Sequence, residues 1–341
     1  MKPHRHVVTD VDACLGPAEG RFFGSGYRRV TRELSEVVLR AMSLGDSIEA
    51  CARVHYPVDW SCKAAGELAP HLSSIDAALI AIDLAELYVS HGERFDGDAR
   101  RRSWISELAL TAGSRPTDVR TAFPCSLHAA EGGSRENGHF RTRFDGRIGS
   151  IRVRLEIEHD VALPPLPQTG RTVVDASVLG TDGSRYFSTG YRNRRHTISE
   201  LLVDVERRAA AASLMVSGDT CRSDTGLGGA YQPTVSVIEI IVSLAQLAQV
   251  VLYQADDLPR QHSNTLWMRA IWLTAHTPSH PLNAPIPIRV GTRRWDQVQM
   301  DSRTWRLAEF YGSLPGVDVG ARLAHALPER VSLPELDRVA P

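Results

Sequence analysis

Apolar residues dominate two stretches of the chain. The longer covers 235–253 and is interrupted by Glu239, Ser243, Gln246 and Gln249. Its pattern predicts a helix over 236–254 that is apolar nearly all round and is therefore enclosed by sheet. A second helix is predicted over 74–90, where Ile75, Ala78, Leu79, Ile82 and Ala85 make a wide apolar face. Ser73 or Ser74 can cap the first helix, and Thr234 or Ser236 the second. Apolar–polar alternation predicts strands over 48–55, 209–217, 265–274, 286–290 and 304–311. Asp145-Gly146 reads as a hairpin turn between 140–144 and 148–159. The aromatic segments 21–30 and 185–192 alternate as strands do.

These elements recur. Arg21-Phe-Phe-Gly-Ser-Gly-Tyr-Arg28 returns as Arg185-Tyr-Phe-Ser-Thr-Gly-Tyr-Arg192, an offset of 164 residues. Pro70-His-Leu-Ser-Ser-Ile-Asp76 returns as Pro233-Thr-Val-Ser-Val-Ile-Glu239, and Asp83-Leu-Ala-Glu86 as Gln246-Leu-Ala-Gln249, both at 163. Separate matches at nearly one offset indicate an internal duplication. The proline-rich segment 161–170 reads as a stiff linker between modules at 1–160 and 171–341. A long helix surrounded by strands in each module predicts an α+β protein, a tandem (double) hot-dog with two curved antiparallel sheets each wrapped on a central helix.

Composition adds exclusions. The chain has 341 residues, 43% hydrophobic and 23% charged, with a formal net charge of -1. That balance gives no nucleic-acid footprint and no polybasic membrane patch. Glu239 makes 235–253 expensive as a membrane span, and 1–10 lacks a secretory apolar run, so a cytoplasmic protein is expected. Five cysteines at irregular spacing, without C-x-x-C, fit a reducing compartment and provide no zinc pattern. No H-E-x-x-H or G-x-S-x-G occurs, and Gly226-Leu-Gly-Gly229 lacks the lysine of a phosphate loop. No cofactor and no metal are called for. The glycines of 226–229 instead suggest a loop over the start of the second helix.

The carboxylates Asp76 and Glu239 are the first candidates for chemistry. An acid one turn into an apolar helix is costly unless paired or functional. Burial favours the protonated carboxyl and suits it to acid–base work, whereas the helix N-terminus favours the anion. The plainer alternative is a helix-capping acid or one paired with arginine. Cys62, with Lys63 beside it to favour the thiolate, could receive an acyl group, although free cysteines are more often small buried hydrophobes. His55, Asp59 and His71 surround the same loop, and either histidine could act as base or proton shuttle. Arg21, Arg28, Arg185 and Arg192 flank Gly-Tyr pairs. They read first as packing between modules, and alternatively, through Arg21 or Arg185, as a hold on a substrate phosphate. Asn193 to His196 reads as a solvated basic loop or a landing patch for an acidic carrier protein.

The 233–246 segment resembles the central-helix start of β-hydroxyacyl carrier-protein dehydratases, hot-dog enzymes with a catalytic acid six residues after a proline. Asp76 and Glu239 both hold that spacing, but the dehydratase histidine fourteen residues earlier is replaced by Cys62 and Thr225. A longer resemblance runs through 15–30, Asp59-Trp-Ser61, 70–76 and 263–269, which look like the avirulence D (AvrD) family. That resemblance implies synthesis of syringolide-type elicitors, by joining a β-ketoacyl chain to a sugar, in the manner of A-factor type butyrolactone synthases. The expected partners are an acyl carrier protein or CoA thioester and a hydroxylated small acceptor, with the acyl chain in a tunnel between the two helices. A homodimer is left open. Alternatives are a dehydratase or thioesterase on the same fold, or a non-catalytic acyl-binding module in which both acids are ion-paired and walled off.

Overall fold

The structure is a computed structural model and describes residues 5–41, 45–60, 70–91, 94–130, 134–136, 138–166, 170–180, 182–218, 224–263, 266–282, 284–300 and 302–328. Cys62 and Lys63 lie outside the described residues. The helices are α1 (Asp12–Leu15), α2 (Ser74–Ser90), α3 (Gly97–Arg102) and α4 (Val237–Ala255). The strands of the first half are β1 (Arg5–Asp10), β2 (Thr31–Ala41), β3 (Ser47–His55), β4 (Trp104–Thr111), β5 (Phe123–Ala129), β6 (Ser134–Glu136), β7 (His139–Ile148) and β8 (Ile151–His159). Those of the second are β9 (Gly170–Val173), β10 (Arg194–Asp204), β11 (Ala209–Gly218), β12 (Leu266–Ala275), β13 (Ile286–Met300), β14 (Arg303–Leu314) and β15 (Val317–Ala326).

These strands form one antiparallel sheet in the order β1-β10-β11-β13-β14-β15-β12-β4-β8-β7-β5-β3-β2-β9, with β6 paired to β7. The order is the same when counted inward from either end. Each edge strand is lent by the other half: β1 pairs with β10, and β9 with β2. The seam is the β12–β4 ladder, Ala270–Thr274 against Glu107–Thr111 in antiparallel register. Matching irregularities sit at matching places. The β2–β3 register shifts between Ser35 and Val38, and the β10–β11 register between Ser199 and Leu202. Glu36 and Glu200, 164 residues apart, both take φ 54° there, a left-handed conformation uncommon for non-glycine residues.

Both long helices lie against the sheet. α2 packs on β3, β5, β7 and β8, and α4 on β10, β11 and β13. Nearly every α2 residue is buried, polar Asp76 and Glu86 included, so its lack of a polar face follows from enclosure on all sides. Among the described residues α4 alone is long and apolar enough to cross a membrane, and most of it is buried inside the protein.

Three expectations are corrected. The aromatic segments are turns with short 3-10 helices, Gly26–Arg29 and Gly190–Asn193, not strands. A Cβ on Gly26 would lie 2.4 Å from the Trp60 carbonyl oxygen, so this glycine serves close backbone approach. Asp145-Gly146 lies within β7, and the chain turns at Gly149-Ser150, where Gly149 has φ 53°. Gly146 is needed because a Cβ there would strike the Ser126 carbonyl oxygen of the neighbouring β5 at 2.0 Å. Finally, the 226–229 loop docks beside α3, with the Gly228 amide donating to the Ser103 carbonyl at 2.7 Å, rather than covering the start of α4.

Candidate functional site

Asp76 and Glu239 occupy equivalent places, three residues beyond the N-caps Ser73 and Ser236. Both are almost wholly buried. Ser73 Oγ accepts from the Asp76 amide at 3.1 Å and donates to Asp76 Oδ2 at 2.6 Å. The Tyr56 hydroxyl donates to the same oxygen at 2.6 Å and accepts from the Ser73 amide at 3.0 Å. Arg32 completes the shell, with NH1 3.3 Å from Asp76 Oδ1 and 2.9 Å from the Tyr191 hydroxyl. Around Glu239, the Tyr186 hydroxyl donates to Oε1, and the Ser236 amide donates to Oε2 at 2.8 Å in a capping box. The Ser236 hydroxyl lies 2.8 Å from that of Tyr186.

Burial pushes the phenols of Tyr56 and Tyr186 well above their ordinary range, and the adjoining carboxylates push them further. Both therefore stay protonated and act as donors. Burial works against the Arg32 charge, but Tyr191, Asp76 and Asp83 outweigh it and hold the guanidinium above its usual value.

The arginines cross between halves reciprocally. Arg21 donates to Gln246 of α4 at 2.7 Å and pairs with Asp12, whereas Arg185 donates to Asp83 and Glu86 of α2 at 2.6 and 2.9 Å. Arg28 donates to the Arg194 carbonyl, and Arg192 to that of Val30, at 2.5 and 2.8 Å. Tyr27 and Tyr191 stack between them at 6.0 Å. Arg194 is 1% exposed and donates to Gln232 at 2.7 Å, so the basic run 193–196 is not a solvated loop.

A cavity of about 790 Å³ opens at the start of α2. Trp60, His71, Ser73 and Ser74 of the first half face Gln249, Tyr253, Trp267 and Trp305 of the second. Arg21, Arg115, Arg260 and Arg269 also line it, and among the described residues no aspartate or glutamate does. The His71 ring lies 4.9 Å from that of Trp267 and 6.1 Å from that of Trp60. A smaller space of about 80 Å³ adjoins it between α4 and the sheet. The walls of neither include Asp76 or Glu239, but Ser73 links Asp76 to the larger one.

The structure thus brings His71, Ser73, Asp76 and Arg21 to one region. Arg185 is engaged by Asp83 and Glu86 and lines neither cavity. Asp59 is exposed and held by Arg29 at 2.8 Å, whose hydrogen bonds draw its carboxyl below the usual range. Sequence reasoning missed Tyr56, Tyr186 and Arg32, which reach the acids from other elements, and the tryptophans of the cavity. Trp60 and Trp267 stood inside the motifs already singled out. Among the described residues no group of three potential metal ligands converges.

Solved structures of low sequence identity resemble the fold. A tesB protein of Mycobacterium avium subs paratuberculosis is 12% identical, with a TM-score of 0.39 over 85% of this chain and 96% of that one. The 12:0-ACP thioesterase from Umbellularia californica is 11% identical, with a TM-score of 0.39 over 87% and 94%. A conserved protein of unknown function with hot dog fold from Alicyclobacillus acidocaldarius is 9% identical, with a TM-score of 0.33 over 90% and 98%. No curated protein sequence matches the chain. The family model described as Pseudomonas avirulence D protein (AvrD) matches residues 6–328, nearly the whole length, and the chain belongs to that family.

Proposed function

We propose that the protein is a double hot-dog, with modules at 1–160 and 171–341, that transfers a β-ketoacyl group from a CoA or acyl carrier protein thioester to a hydroxylated small acceptor. The observation that carries this reading is the cavity at the start of α2, where Ser73, His71 and a helix N-terminus meet a largely apolar chamber. His71 takes the proton of the acceptor hydroxyl. The new alkoxide attacks the thioester carbonyl, the C–O bond forms as the C–S bond breaks, and the departing thiolate recovers the proton from His71. First-turn amides of α2, which no helical carbonyl can use, steady the charge on the carbonyl oxygen. Asp76 has no direct access to the chamber. It positions Ser73 and Tyr56, so the role expected of it as base passes to His71.

The test incubates purified protein with a β-ketoacyl-CoA and a panel of polyols, reading ester masses and free CoA. His71→Gln should lower turnover about 10²–10⁴-fold, and Ser73→Ala should lower it too. No ester product from the wild-type protein, or undiminished turnover in both variants, would overturn the proposal. A second reading, an acyl-binding module without chemistry, is favoured by the complete burial of Asp76 against Arg32. It predicts saturable acyl-CoA binding with neither ester nor free acid formed. Free acid alone would instead indicate a thioesterase.

A further inference from the structure

The smaller space beside the chamber lies along one ridge of α4. Ile241, Leu244, Ala245 and Ala248 form its helical wall, and Gln249 and Tyr253 continue the same i, i+4 row into the larger cavity. From Tyr253 to Ile241 this track follows about 18 Å of helix. The two spaces share Phe23, Ser74, Leu266 and Met268, so they are neighbours around one set of side chains. The wall opposite α4 comes from Val290, Phe310, Gly312, Val319 and Ala321.

Two features fit this space to a hydrocarbon. Nearly all its wall is aliphatic or aromatic, and a space so lined offers water too few partners. A polar ligand would lose its hydrogen bonds there without compensation. The helix also presents its smallest side chains to this space at Ala245 and Ala248, which do not line the chamber, so they can be enlarged to shorten the slot without touching the chamber.

We propose that this slot receives the terminal methylenes of the acyl chain, and that Ala245 and Ala248 set the length of chain the protein accepts. The inference rests on the acyl-thioester reading of the chamber but not on acyl transfer. Each methylene seated in the slot tightens binding by about fourfold. Chains too short to enter it gain nothing from it.

The experiment measures binding of saturated acyl-CoA thioesters from four to fourteen carbons by calorimetry, for the wild-type protein and for Ala248→Leu. Wild-type affinity should climb with length and then level off. In the variant the climb should stop earlier, with the longest ligands weakened about tenfold or more and the shortest unchanged. Because a larger side chain can disturb folding, the wild-type protein is also irradiated with an acyl-CoA carrying a photoreactive diazirine at its far end. Labelling of the peptides bearing α4 or β15 supports the assignment. Labelling elsewhere, or a length profile unmoved in a folded variant, overturns it. Should the length profile shift as stated while no ester product forms, the slot stands and the transfer reading falls. Should ester form with an unmoved profile, the reverse holds.

Discussion

At the scale of single residues, the two buried acids are held by different means. Asp76 has a cationic neighbour in Arg32, with side chains 0% and 6% exposed. Replacing one member of such a pair leaves the other buried and uncompensated. Arg32→Met should therefore cost about 3–5 kcal/mol in urea unfolding, and Asp76→Asn with Arg32→Met together should cost less than the sum of the two single changes. Glu239 is held by neutral groups, Tyr186 and Ser236. Tyr186→Phe should cost about 1–3 kcal/mol by removing a donor from a closed site. His196 offers a test by pH. Its ring nitrogen Nε2 is enclosed without a hydrogen-bond partner among the described residues, and burial, then Arg28 and Arg194, press its pKa down to about 3. The unfolded chain binds that proton near pH 6.5 and the folded one does not. Stability should therefore fall as pH drops from 6.5 toward 3, by up to about 1.4 kcal/mol per unit from this ring. His196→Gln should flatten that slope in urea titrations run at successive pH values.

At the scale of elements, the long helices were legible in the sequence because their signals are local. Ser73 and Ser236 cap where small hydroxyls precede apolar periodicity, and α2 covers the predicted 74–90. The aromatic segments misled because alternation around glycine resembles a strand, while their real role is to carry arginines across to the other half. Asp145-Gly146 misled for a tertiary reason: its glycine answers the close passage of β5, which no local pattern records. The partners of the acids were invisible for the same cause, since Tyr56 and Arg32 reach Asp76 from 20 and 44 residues away. The crossing arginines allow an unequal prediction. Arg185 neutralises Asp83 and Glu86, whereas Arg21 meets a neutral amide on Gln246 and the half-exposed Asp12. Arg185→Met should lower stability by about 3 kcal/mol or more, and Arg21→Met by less, read as shifts in urea midpoint.

At the scale of the molecule, the exchanged edge strands and the β12–β4 seam tie the halves into a single sheet. Cleavage between Pro164 and Pro165 should leave both pieces together in gel filtration under native conditions. Removal of residues 1–11 should bare the β10 edge and promote self-association, seen as larger species by light scattering. The sequence repeats its motifs at offsets of 163 and 164 residues, and the strand order reads the same from either end of the sheet. The position of the chamber was not legible in the sequence, because its wall is assembled from residues such as Ser73 and Trp267 that stand far apart along the chain.

That mixed wall bears on how such a protein could have arisen. A single ancestral copy would own only part of the enclosure, and two identical copies meeting face to face would own two chambers, each indispensable by symmetry. Once joined in one polypeptide, the copies are free to diverge. One chamber can then be refined on its own, while in the other half Glu239 closes a capping box with Ser236 at the start of its helix.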